Sequence, residues 1–98
     1  MKKNITVNFK DIVAVLEKNN LKICFLKRRG IFIEDEQKNL YQMENRHTGS
    51  YLDKLIKNAV EVTFYLVNPS ISQCIEDWER EVWDVTQVKS FIKRHSLH

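Results

Sequence analysis

The sequence predicts an α+β fold. It reads as a two-layer single domain over residues 1–98, with a three-stranded antiparallel meander plus a fourth strand. An N-terminal helix, a middle helix and one or two C-terminal helices pack on it. Three observations predict this. Hydrophobic periodicity is helical over residues 9–16, alternates every second residue over 21–43, and returns to helical spacing after residue 50. Helical and strand-like segments are grouped rather than strictly alternating, which favours α+β over a parallel α/β sheet. The chain has 98 residues, 43% apolar and 30% charged, enough for one modest core and typical of globular composition.

Ile5 and Val7 alternate with Thr6 and Asn8 like a strand stub too short to assign. Phe9, Ile12, Val13 and Leu16 then fall on one helical face, with Asn8 as the cap and Asp11 as the capping-box acid. Asn19-Asn20 ends that helix, because Asn tolerates the left-handed conformation. Leu21, Ile23 and Phe25 alternate as a strand. Lys27-Arg28-Arg29-Gly30 turns the chain into Ile31-Phe32-Ile33, and after the polar turn 34–39 a third strand runs through Leu40-Tyr41-Gln42-Met43. Ser50 and Asp53 form a second capping box, before a short helix on Leu52, Leu55, Ile56 and Ala59. Val60 to Val67 is rich in β-branched and aromatic residues and reads as a buried strand, with a helix from Ser50 through Val67 as the competing reading. Asn68-Pro69 stops either. Ser70 and Gln73 then open a helix whose buried stripe is Ile71, Cys74, Ile75, Trp78 and Val82. It either continues past Trp83 or breaks there, with Asp84 and Gln87 starting a last helix on Val88, Phe91 and Ile92.

Cys24 and Cys74 stand fifty positions apart, without a C-x-x-C, and read as reduced core thiols of a cytoplasmic protein. The basic start Met1-Lys2-Lys3-Asn4 is followed by no signal-peptide apolar run, and the apolar stretch Val62 to Val67 is too short to span a bilayer. Lys outnumbers Arg eleven to five, Asn occurs eight times and Ala twice. That usage suggests an AT-rich coding sequence, as in many Gram-positive bacteria, phages and mobile elements.

The net charge of +3 conceals blocks. Residues 1–30 carry eight basic and two acidic groups, whereas residues 61–88 carry six acids and one base. Lys27, Arg28 and Arg29 at the hairpin tip, near Phe25 and Phe32, suit a solvated turn, phosphate contacts with base stacking, or an acidic protein partner. Glu76, Asp77, Glu79, Glu81 and Asp84 read as the polar face of a helix, with Glu76 and Arg80 as an i, i+4 pair. They form either a solvated face or a docking face for a basic partner. Trp78 aligns with the buried stripe. Trp83, about 140° away on the same helix, projects sideways as an interface anchor or a cover for the core edge.

Chemical motifs are scarce. His47, near Asp53 in sequence, has no nucleophile motif beside it. Glu34-Asp35-Glu36 lacks the spacing of a calcium loop, the cysteines lack zinc spacing, and Gly30 and Gly49 form no phosphate loop. No enzyme, cofactor or metal is expected. The helix, meander, helix order resembles that of several small phage-encoded inhibitors and of many other folds, so no residue role follows from it. The expected function is a small non-catalytic interaction or regulatory protein, an inhibitor encoded by a phage or mobile element. It would bind a larger protein or nucleoprotein partner, away from membranes, through Lys27, Arg28, Arg29, Glu76, Asp77 and Trp83. The alternative is a nucleic-acid-binding regulator using Lys22, Lys27, Arg28, Arg29, Lys89, Lys93 and Arg94. A homo-oligomer with Trp83 and the acidic segment at its interface is a further expectation.

Overall fold

The computed structural model describes residues 4–44 and 52–95. Strand β1 (Asn4–Asn8) leads through a 3-10 turn (Phe9–Asp11) into helix α1 (Ile12–Asn19). Strands β2 (Lys22–Leu26), β3 (Gly30–Glu34) and β4 (Leu40–Met43) follow, then α2 (Leu52–Lys57) and β5 (Glu61–Leu66). A short helix α3 (Pro69–Ser72), a second 3-10 turn (Asp77–Glu79), β6 (Arg80–Trp83) and α4 (Val85–His95) complete the order. The class is α+β, as the periodicity predicts. All six strands form one open antiparallel sheet in the order β1-β5-β4-β3-β2-β6.

Local chemistry explains most boundaries. The Asn8 side chain accepts from Lys10 N at 2.9 Å and starts the 3-10 turn. Asp11 makes no capping bond, so the expected box there does not close. Asn20 ends α1 at φ 52°, the left-handed conformation expected of Asn. Asp84 and Gln87 cap α4 reciprocally, each accepting from the other's backbone N at 2.9 Å. Val60 to Val67 resolves in favour of a strand, because Glu61–Leu66 lies between β1 and β4. The capping residue Ser50 lies outside the described residues.

The sheet has two unlike faces. On one, Ile12, Leu16, Leu55, Ile56 and Val88 of the helices pack on Val7, Ile23, Ile33, Val62 and Phe64. Cys24, Leu26, Phe32, Leu40 and Ile75 form a smaller core on the reverse face. Covering on both sides is why β2 and β3 read as nearly continuous apolar runs, Ile23-Cys24-Phe25-Leu26 and Ile31-Phe32-Ile33. Toward β1 and β5 the reverse face turns polar, with Thr6 and Thr63 hydroxyls 3.0 Å apart and Tyr65 donating to Glu44.

The largest correction concerns residues 70–83. The expected long helix ends after one turn, at Ser72, and the chain crosses the reverse face as an irregular strap before adding β6 to the edge of β2. The pattern Ile71, Cys74, Ile75, Trp78, Val82 fits a helix, but only Ile75 of its first four members is buried. Strand pairing wins because β2 would otherwise leave its outer backbone edge unpaired. Alternation then sends Arg80 and Val82 to the reverse face and Glu81 and Trp83 to the helical one.

Candidate interaction surface

The strap is fastened from below by one side chain. Arg80 follows directly on the second 3-10 turn, and its guanidinium lies beneath the strap with 7% of the side chain exposed. One terminal nitrogen donates to Glu34 Oε2 at 3.1 Å, and Glu34 is itself 8% exposed. The other donates to the carbonyl of buried Ser72 in α3. Its Nε is buried without a partner. Arg80 therefore ties both ends of the strap to β3, and Ile75 closes the small core between them. The expected Glu76–Arg80 pair does not form; Glu34 takes the guanidinium instead.

Cys24 lies beside this pair. Burial pushes its thiol from 9.0 up to about 12; the Glu34 carboxylate adds to the rise, and Arg80 opposes it. The folded state keeps this proton after the unfolded chain has released it. The stabilisation is thus full below about pH 9 and is lost as pH rises toward about 12, at up to ~1.4 kcal/mol per pH unit. Denaturant titrations between pH 8 and about 11 should show this loss in the wild type, with a shallower slope in Cys24→Ala. Equal slopes would rule out the buried thiol as the source. Cys74 departs from the expectation of two core thiols. It is free and exposed, its Sγ donating to Ser70 O at 3.1 Å.

Pinned in this way, the strap turns Trp78 outward, 75% exposed, and Ile71 on the preceding α3 is 54% exposed. Trp78, expected in the buried stripe, is therefore exposed. Trp83 faces the helical layer, half-buried, with its ring 5.0 Å from Phe25 and 5.5 Å from Phe91. Of the two expected readings of Trp83, this is the cover for the core edge, and the exposed indole is that of Trp78.

The hairpin tip adjoins this surface. Lys27 N donates to Glu79 O at 3.3 Å, which extends the β2–β6 pairing by one step. Lys27, Arg28 and Arg29 are exposed and make no ion pair with described residues. Arg28 has φ 68°, where glycine or asparagine is at ease and arginine is not. Phe25 and Phe32 are turned into the two cores, so neither offers a stacking face beside the tip, contrary to expectation. The acidic residues form no helical face. Glu76 and Asp77 lie on the exposed strap, Glu79 ends the 3-10 turn, and Glu81 lies on β6. Asp77 meets Lys38 at 3.8 Å, an exposed pair that contributes little. Two charge blocks far apart in sequence therefore adjoin where Lys27 N meets Glu79 O, the residue after Trp78.

The alternative basic set is dispersed. Lys22 pairs across from Glu34, four residues along β2 from Leu26, or about 13 Å. Lys89, Lys93 and Arg94 stand on α4 in the helical layer, and Lys89 pairs with Glu17 at 3.4 Å. Asp35 accepts from Gln37 N, Asn39 N, the Asn39 side chain and Tyr41 OH, so it organises the β3–β4 turn. His47 lies outside the described residues. Among those described, no three His, Cys, Asp or Glu are grouped to hold a metal, and no helix is long and apolar enough to cross a membrane. No family model, curated protein or solved structure matches the chain.

Proposed function

We propose that the chain is a non-catalytic regulatory protein that binds a larger protein through the surface formed by the strap and the hairpin tip. In this reading it is an inhibitor encoded by a phage or mobile element, as its lysine- and asparagine-rich composition suggests. The observation that carries the reading is Trp78, three-quarters exposed on a strap that Arg80 and Glu34 hold in place. An exposed indole on a fixed backbone loses little conformational entropy on docking, and tryptophan and arginine dominate binding energy at protein interfaces. Arg28 supports the same site. An L-residue at positive φ costs about 1 kcal/mol, so its guanidinium is presented at the expense of local backbone strain.

Affinity capture with four variants tests this. Trp78→Ala should weaken capture of the partner by ~2 kcal/mol, and the triple change Lys27→Ala, Arg28→Ala, Arg29→Ala should weaken it while shifting stability by no more than about 0.5 kcal/mol. Arg28→Gly should lose affinity without losing stability, because glycine relieves the backbone it replaces. Lys57→Ala, exposed on α2, should change neither. Full capture by both the Trp78 and the triple variants would sink the proposal. Gel shifts at two salt concentrations separate the nucleic-acid alternative. A tip that neutralises three phosphates gives a slope of about −2.7 in log affinity against log salt, whereas protein capture needs no nucleic acid.

A further inference from the structure

We infer that the surface around Trp78 also pairs with a second copy of itself about a two-fold axis, the hairpin tip of each copy lying against the strap of the other. The argument begins with the placement of charge. Lys27, at the base of the cationic tip with Arg28 and Arg29, stands beside Glu79, joined by the bond from Lys27 N to Glu79 O, and Glu76 and Asp77 lie in the three residues before Glu79 on the same strap. Their side chains do not neutralise one another: among the described residues the three cations make no ion pair, and of the three acids only Asp77 makes one, to Lys38.

A patch with both signs side by side is complementary to its own image rotated by 180°, since each cationic half then meets an anionic one. A wholly basic partner would meet the three cations, and a wholly acidic one the carboxylates, at a cost in like-charge repulsion. The occupant that the charge pattern fits is therefore another copy. Trp78 on the strap and Ile71 on α3, which leads into it, are exposed and supply apolar surface that such an interface needs inside its polar rim. The free edge of β6 lies beside them. No described strand pairs with its outer side, and a docked copy would shield it. The inference does not require the larger partner, but both uses engage Trp78 and so exclude one another.

Sedimentation velocity over a concentration series tests it on the full chain. The wild type should show a monomer–dimer equilibrium that weakens with salt. Reversing the tip (Lys27→Glu, Arg28→Glu, Arg29→Glu) or the strap (Glu76→Lys, Asp77→Lys, Glu79→Lys) should each weaken self-association at least about tenfold, and mixing the two variants should restore a heterodimer. Trp78→Ala should weaken it ~30-fold. Should a triple variant fail to fold, Arg28→Glu alone, outside both cores, carries the same direction. A wild type that stays monomeric throughout the series, variants that dimerise like the wild type, or a mixture of folded variants that does not associate would each overturn the inference. Capture of a larger partner is a separate readout, so either reading can fail without the other.

Discussion

Replacing Arg80 by Ala is expected to destabilise the protein by about 3–5 kcal/mol, a large share of the 5–15 kcal/mol typical of a whole domain. The size follows from what remains behind. Glu34 would keep its carboxylate under the strap without its cation, and Ser72 O would lose its donor. Glu34→Gln keeps an acceptor for Arg80 but strands the guanidinium's charge, so it should also destabilise. The paired change Arg80→Met with Glu34→Leu removes both charges together and should cost far less than either single change, because a buried ion pair repays little beyond its own desolvation. Urea titrations of the four proteins decide the matter. A loss below about 1 kcal/mol for Arg80→Ala would show that the strap is not fastened there. Reactivity of Cys24 toward a thiol reagent provides a local readout, since opening the strap uncovers it whether or not the sheet unfolds.

Phe64→Ala should cost a comparable ~3–5 kcal/mol by a different mechanism. Phe64 is fully buried near the middle of the helical face, where β5 pairs with both β1 and β4. Its ring centroid lies 6.2 Å from that of Phe9, also fully buried at the start of the 3-10 turn. Phe9 N is fixed to Val60 O at 3.0 Å, so the backbone around the cavity cannot readily collapse into it. Phe9→Ala should behave alike, and a double-mutant cycle should return about 0.5–1.5 kcal/mol of coupling from the ring pair. Strict additivity would mean that each ring packs independently. Neither change should affect the pH dependence carried by Cys24, which belongs to the other core.

Much of the fold was legible because its signals are local. The stripe Phe9, Ile12, Leu16 and the alternation through β2, β3 and β4 each report a buried face within a few residues of chain. The reciprocal cap of Asp84 and Gln87 is just as local. The candidate site was half legible. The exposed basic tip follows from its turn position, but Trp78 was expected in the buried stripe and is exposed, and the buried arginine was missed. One usable signal was present: the Asp84–Gln87 cap breaks any helix at Asp84 and so favours the reading with a separate last helix, while leaving the course of residues 80–83 open.

The sequence by itself determined the α+β class, the location of β2, β3 and β4, and the lopsided charge along the chain; residues 60–67 it left open between strand and helix until β1 and β4 were seen to flank them. Tertiary structure alone decided the course of residues 70–83. Their apolar spacing fits a helix, and it is overridden by partners remote in sequence: the open edge of β2 and the carboxylate of Glu34, 46 positions from Arg80. It also decided that the acidic and basic blocks are neighbours. Periodicity records which side of an element is buried, whereas which elements meet depends on long-range pairing that no short window of sequence contains.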